Sequence, residues 1–352
     1  MAIAREVPEA TDLFLGLTPD AVLDAIERAG LRCTTVCYPL NSFENRVYEV
    51  ELADRSRIIA KFYRPGRWSR EQILEEHEFL RDLAADELAV CDVRPFADGT
   101  TLKTAAHIHF CLFDRCGGRS PEELDMAMAE RLGMLCGRMH NAGVRREARH
   151  RIRLDADTYV RDNLDWLLER GKLPESVRDR YADAAFTLAD VAEARMRGVA
   201  VHRIHGDLHP GNLIERGGIL HALDFDDMVI GPAVQDLWLV LPGRDEHAAR
   251  LRESYLEGYE QFRAFDRTTL HLIEPLRGMR LVHYAAWLAR RWHDPIFPQT
   301  WPQFGTEVWW QEQTRDLEEL VRGLDAAATL PKAEAAEELT NRDLFWDYED
   351  KQ

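Results

Sequence analysis

Positive charge is in short supply: 45 Lys and Arg residues stand against 62 Asp and Glu in 352 residues, a formal net charge of −17. A chain this acidic lacks the broad basic face that neutralises nucleic-acid phosphates, so nucleic acid is excluded as a main partner. Cysteine is sparse, with six residues at 33, 37, 91, 111, 116 and 136 and no Cys-x-x-Cys spacing, which points to neither a zinc site nor a disulfide framework. No apolar run approaches the roughly 18 residues of a membrane span. The residues after Met1, Ala-Ile-Ala-Arg-Glu-Val-Pro-Glu, are too polar for a signal peptide. These absences predict a reduced, cytoplasmic protein without a membrane partner; a monomer is expected. Hydrophobic residues make up 45% of the chain, enough for one large core or two modest ones.

Two lobes are expected. A Thr-Pro start at Thr18 opens a short amphipathic helix that ends near Gly30. Three β-type segments follow, Cys33 to Leu40, Arg46 to Leu52 and Arg57 to Tyr63, separated by turn-forming residues and predicting an antiparallel meander. A helix from Ser69 to Leu83 and strands at Val90 to Pro95 and Ile108 to Phe113 complete a small first lobe, residues 1–115. From Pro121 the periodicity is helical, with candidates at Glu122 to His140, Ala156 to Glu169, Glu175 to Arg197, Ala233 to Leu241, Ala248 to Phe262 and Thr268 to His293. This predicts a larger, mainly α lobe over residues 116–330, with short strands at Leu213 to Glu215 and Leu220 to Leu223. The acidic tail, 331–352, lacks core periodicity until Leu344-Phe345-Trp346 and should be poorly ordered or loosely docked.

The residues that carry chemistry are concentrated at 205–227: His-Gly-Asp-Leu-His-Pro-Gly-Asn-Leu-Ile, then Leu-Asp-Phe-Asp-Asp. Glycine and proline confine a tight loop from which Asp207 and Asn212 can face one cleft. Asp207 can orient, or accept the proton of, an attacking hydroxyl, a role worth roughly 10² to 10⁴ in rate. Asn212 can bind magnesium through its amide oxygen without placing a second charge beside Asp207, and Asp224 offers the hard anionic oxygen that magnesium prefers. Taken singly, each residue is equally compatible with a hydrogen-bonded loop or a solvated turn. Together they describe an ATP-dependent phosphotransferase.

The block His205 to Asn212 with Leu223 to Asp227 resembles the signature of the aminoglycoside phosphotransferase and choline kinase group. That resemblance implies an α+β, protein kinase-like two-lobed fold with a small mainly β N-lobe and a larger mainly α C-lobe. It implies ATP and Mg2+ as cofactors, Asp207 as catalytic base, and Asn212 and Asp224 as magnesium ligands, with Asp224 counted among the catalytic residues. Asp-Phe-Asp stands where common protein kinases carry Asp-Phe-Gly, so a switch by flipping this loop is not expected. The fold requires a lysine on an N-lobe strand, and Lys61 in Ile-Ile-Ala-Lys-Phe-Tyr fits. Glu75, Glu76 and Glu78 compete as its partner. Glu76 is favoured because it shares the buried side with Phe79, Leu80 and Leu83, leaving the other two solvated.

Leu40 to Tyr48 occupies the position of a phosphate-covering loop but lacks Gly-x-Gly-x-x-Gly. Backbone amides and the Ser42 hydroxyl could still bind phosphate oxygens; an ordinary hairpin turn is the plain alternative. Asp236, in the helix that follows Gly231-Pro232, could accept loop amides and hold the catalytic loop rigid, or simply supply charge to a helix N-terminus. The segments Asn-Ser-Phe-Glu-Asn-Arg-Val-Tyr-Glu-Val, Lys-Phe-Tyr-Arg-Pro-Gly-Arg-Trp-Ser and Asp-Phe-Asp-Asp-Met-Val-Ile-Gly-Pro-Ala-Val-Gln-Asp-Leu-Trp are similar to the bacterial stress response kinase A family over about residues 10–325. That likeness implies a cytoplasmic Ser/Thr protein kinase active in envelope and oxidative stress, with Ser42 as the phosphate-loop serine. A small-metabolite kinase, for an amino alcohol, sugar or aminoglycoside, is the alternative reading, and a nucleotide-binding pseudokinase a third. Trp287, Trp292, Trp301, Trp309 and Trp310 are assigned mostly to core. Between Asp224 and Pro232 there is no room for a long activation segment.

Overall fold

The computed structural model describes residues 10–121 and 124–329. The elements run α1 (Ala10–Leu15), α2 (Pro19–Arg28), β1 (Cys33–Leu40), β2 (Arg46–Leu52), β3 (Arg57–Phe62), α3 (Arg70–Ala85), β4 (Val93–Arg94), β5 (Lys103–Ala105) and β6 (Ile108–Asp114). They continue with α4 (Met126–Gly143), α5 (Asp162–Glu169), α6 (Glu175–Met196), β7 (His202–Ile204), β8 (Leu213–Arg216), β9 (Ile219–Ala222), β10 (Val229–Gly231), α7 (Val234–Val240), α8 (Glu246–Glu260), α9 (Ile273–Arg291), α10 (Ile296–Thr300) and α11 (Glu307–Thr329).

In the N-terminal sheet the order is β1-β2-β3-β6-β4, with β5 also pairing β6. Every pairing is antiparallel, and Lys61 lies opposite Val47 on one side and Cys111 on the other. Alternation sends Ile58, Ala60 and Phe62 into one core with Val22, Ile26, Val50 and Phe110. Lys61 therefore points to the opposite face, toward α3. That helix begins at Ser69, whose hydroxyl accepts the Gln72 amide while the Gln72 side chain returns to the Ser69 amide, a capping box.

The helical part packs around a second core that includes Leu132, Leu164, Leu188, Leu237, Met279 and Trp310. Helices α4 and α8 approach until a Cβ on Gly133 would lie 1.9 Å from the Tyr255 carbonyl oxygen, so only glycine fits there. Several expected boundaries shift. Asp125 caps α4, so the fourth helix begins at Met126; Glu122 lies outside the described residues. The 156–169 helix opens with a π-helical turn, Asp157–Arg161. The last expected helix divides, because the Asp266 side chain caps a 3₁₀ stretch at Arg267–Leu272 before α9 begins. Helices α10 and α11 and the β7–β10 pair were not expected from sequence. Among the described residues no helix is long and apolar enough to cross a membrane. The expected tail, 331–352, lies outside them.

Candidate active site

Lys61 is buried, and its ammonium meets three carboxylates: Asp224 Oδ1 at 3.0 Å, Glu76 Oε1 at 3.2 Å and Asp226 Oδ1 at 3.2 Å. Glu76 also accepts from Arg151 Nη2 at 3.0 Å and from the Tyr63 hydroxyl at 3.3 Å. Burial disfavours the charged form of both partners. Against it, Asp224, Asp226 and Glu76 hold the Lys61 ammonium well above its ordinary value. Burial raises the Glu76 carboxyl against the pull of Lys61 and Arg151, yet three donors on one carboxylate favour a charged pair. Of the three competing glutamates on α3, Glu75, Glu76 and Glu78, Glu76 is the one within reach of Lys61. The expectation that the other two are merely solvated is corrected. Glu75 accepts the backbone amides of Arg149, His150 and Arg151, and Glu78 pairs with Arg146 at 2.7 Å, because α3 docks on the 145–151 segment.

The 205–212 loop hangs from Asp236, a buried carboxylate on α7. It accepts the amides of His205 and Gly206, each at 2.9 Å, and the His140 ring at 3.0 Å. Gln235 adds a bond from its side-chain amide to the Gly206 carbonyl at 3.1 Å. The His205 ring donates from Nε2 to the Leu223 carbonyl at 2.8 Å and accepts the Asp207 amide at Nδ1, which fixes its tautomer. Gly206 has φ +82°, and a Cβ there would come 2.3 Å from the Asp227 carbonyl oxygen.

Asn212 links the two halves of the site. Its side-chain amide donates to the Asp207 carbonyl at 2.9 Å, and its own carbonyl accepts the Leu223 amide at 2.9 Å, immediately before Asp224. Asp224 itself is left-handed, φ 56° and ψ 72°, an unusual conformation for a residue other than glycine. Burial opposes ionisation of Asp207, but the His209 side chain and the Arg280 guanidinium hold its carboxyl well below the usual range. Arg280 Nη2 lies 2.8 Å from Asp207 Oδ1 and His209 Nε2 3.5 Å from Oδ2.

The structure therefore brings Lys61, Glu76, Asn212, Asp207 and Asp224 into one cleft. Ser42 is not joined to them by a side-chain bond. It lies half-buried in the loop after β1, and among the described residues its hydroxyl has no polar contact. The same loop instead contributes Glu44, which accepts from Trp287 Nε1 at 2.7 Å and Arg291 Nη2 at 2.9 Å. Trp287 thus meets the cleft at its indole nitrogen, while Trp310 is fully buried. Residues missed by sequence reasoning are Arg67, which pairs with Asp226 and Asp227, and Arg280. Arg67 lies within a motif already singled out; Arg280 gave no signal, being one arginine among several in an amphipathic helix.

Comparison with known proteins assigns the chain. A model of the phosphotransferase enzyme family matches residues 37–273. The chain belongs to the phosphotransferase enzyme family. Stress response kinase A of Escherichia coli is 39% identical over 302 residues, covering 86% of this chain and 92% of that protein. The serine/threonine protein kinase RdoA of Salmonella typhimurium is similar to the same extent, 39% over 302 residues with the same coverage. Among solved structures, an amicoumacin kinase in complex with AMP-PNP and Ca2+ shares the fold with a TM-score of 0.67 at 19% identity, covering 85% of this chain and 92% of that one. A microcompartment-associated aminopropanol kinase follows with a TM-score of 0.60 at 19% identity, 87% and 95% covered. This phosphotransferase is ATP-dependent and has the kinase-like α+β fold.

Proposed function

We propose that this phosphotransferase is an ATP- and magnesium-dependent serine/threonine protein kinase, transferring the γ-phosphoryl group to Ser or Thr hydroxyls of a protein substrate during bacterial stress. The observation that carries the reading is the convergence of Lys61 on Glu76 and Asp224, beside a loop in which Asn212 is bonded to both Asp207 and Leu223. Lys61, fixed by Glu76, would engage phosphate oxygens, with Ser42 and the 41–45 backbone covering them.

The residues fit magnesium. Asn212 spends its amide nitrogen on the Asp207 carbonyl, which leaves the amide oxygen as a ligand. The Asp224 carboxylate is about half exposed, at 52%, and Asp226 Oδ1 is buried without a hydrogen-bond donor of good geometry. Among the described residues no group of three or more His, Cys, Asp or Glu could hold a metal by itself. The protein thus supplies part of an oxygen shell and leaves the remainder to phosphate and water, the usual magnesium arrangement. Bound magnesium would neutralise charge on the transferring phosphate. Asp207 orients the acceptor hydroxyl; as that oxygen bonds to the γ-phosphorus and ADP departs, the hydroxyl proton passes to the Asp207 carboxylate. Rate then comes from positioning and electrostatics.

The name of the Salmonella relative favours a protein acceptor. The test is transfer of labelled phosphate from ATP to generic protein substrates and to a panel of sugars and amino alcohols. Label on Ser or Thr is expected, with Asp207→Ala abolishing transfer but sparing ATP binding. Label on small molecules alone would overturn the protein-kinase reading.

A further inference from the structure

The carboxylate that is to receive the acceptor hydroxyl is already in contact with a cation from a different element. Arg280 comes from α9, and its Nη2 sits 2.8 Å from Asp207 Oδ1. The two charges touch without the alignment of a hydrogen bond, since Oδ1 is buried and lacks a well-directed donor. Arg280 has no other polar partner among the described residues, and its side chain is 38% exposed. It is a guanidinium with most of its five donors unspent, at the edge of the cleft.

Two acidic groups of this cleft are already committed to cations: Glu44 to Arg64, Arg67 and Arg291, with Trp287 donating to it as well, and Asp227 to Arg67. His283, one turn along α9, stacks on Tyr159 at 4.5 Å. Burial, together with Arg280, Arg67, Arg291 and Arg290, pushes its imidazole down to about 3, so it is neutral at physiological pH within a field of four arginines. Several arginines of this acidic chain, Arg67, Arg280, Arg290 and Arg291, thus lie around His283 beside the cleft.

We propose, resting on the protein-kinase reading above, that Arg280 reads the acceptor: it selects Ser or Thr flanked by Asp or Glu and disfavours cationic acceptors. An acidic side chain next to the acceptor hydroxyl offers the guanidinium a bidentate partner, better than its skewed contact with Asp207. Drawing Arg280 away frees Oδ1 for the incoming hydroxyl. A lysine-flanked or amine-bearing acceptor would meet the Arg280 cation instead.

The experiment uses full-length protein, Mg-ATP and matched Ser peptides flanked by Glu, Ala or Lys, alongside small hydroxy acids and amino alcohols. The expected order in kcat/KM is Glu above Ala above Lys, with a spread of about tenfold or more. Arg280→Gln should collapse that spread toward one, and Arg280→Lys, which keeps charge but loses the fork, should restore part of it. A thermal melt of both variants separates this from misfolding. Equal use of Glu- and Lys-flanked peptides by the wild type, or an undiminished Glu preference in Arg280→Gln, would overturn the proposal. Silence on all peptides would sink the protein-kinase reading alone, because the ratio of hydroxy acid to amino alcohol then decides Arg280: preference for the acid supports it and preference for the amine refutes it.

Discussion

Glu44 and Arg291 form an ion pair across the cleft, with Nη2 2.9 Å from Oε1, joining the loop after β1 to the C-terminal end of α9. It is the centre of a wider contact. Arg46 and Arg64 both reach Asp294 at 2.9 Å, and Phe43 meets Trp301 with ring centroids 4.9 Å apart. The loop that lacks glycines is therefore held by side chains rather than left to flex. Burial opposes the Glu44 charge, but Arg67, Arg291 and Arg64 hold its carboxyl below the ordinary range. A glycine-rich loop adapts its backbone to phosphate; this one is positioned in advance by charge.

Glu44→Ala should accordingly destabilise the protein by about 3 kcal/mol, because it leaves the buried Arg291 guanidinium without a carboxylate partner while Arg64 keeps Asp294 and Arg67 keeps Asp226 and Asp227. Differential scanning calorimetry would show it, together with a higher KM for ATP. A melting temperature within experimental error of the wild type would contradict the structural role given to this pair.

How much of this was legible beforehand differs by residue. Asp207, Asn212 and Asp224 lie within 18 positions of one another on a loop and a short hairpin, so local spacing alone placed them in a common cleft. Lys61 was legible only through the family resemblance, which calls for a lysine on an N-lobe strand, and Glu76 then followed from helical periodicity. Arg280, Arg291 and Glu44 could not be read this way, since their partners are 73, 247 and 247 positions distant and charge carries no directional signal in sequence. Helix α11 was passed over although Trp309, Trp310, Leu317 and Val321 follow helical spacing; its apolar stripe is interrupted by a dense run of charge.

Lys61→Met should remove transfer and weaken nucleotide binding, leaving Asp224 and Asp226 without their shared cation. Glu76→Gln should be milder: Lys61 keeps its two aspartates, but its position loosens, and a misplacement near 1 Å costs roughly 10² in rate. Steady-state kinetics with isothermal titration of Mg-ATP would separate the two. Full activity in either variant would remove this pair from the proposed mechanism.

The short Asp224 to Pro232 connection leads to a regulatory expectation. It holds a 3₁₀ turn at Phe225–Asp227 followed directly by β10, so no segment exists there to be ordered by phosphorylation. Protein treated with phosphatase should retain its turnover. Loss of activity that an upstream kinase restores would show that control lies in this connection after all.

Acid should destabilise the fold through His77. Its ring is buried, bonded to the Tyr63 hydroxyl at 3.0 Å and to Thr101 at 2.9 Å, and burial with Lys61 and Arg151 lowers its pKa to about 3. In the unfolded chain it protonates near 6.5. Between those values the unfolded state binds the extra proton, so stability falls as pH drops through about 6.5 and continues falling toward 3, by up to about 1.4 kcal/mol per pH unit. His77→Gln, which retains a donor and an acceptor, should flatten that part of the curve in melts at successive pH values. An unchanged slope would place the acid sensitivity elsewhere.

Asp236 gives the sharpest separation of positioning from binding. It touches neither Asp224 nor Lys61, yet it accepts the two amides that set the entry of the catalytic loop and the ring of His140. Asp236→Ala would strand three buried donors at about 1–3 kcal/mol each, so a lowered melting temperature is certain to accompany any kinetic effect. Asp236→Asn keeps one accepting oxygen and is the informative variant. With the loop released on one side, Asp207 loses its fixed offset from Asn212, and kcat should fall by about tenfold or more. KM for ATP should hardly change, because Lys61 and Glu76 are fixed from the sheet and α3. A fall in ATP affinity equal to the fall in kcat would mean that the nucleotide side of the cleft, rather than the catalytic loop, depends on Asp236.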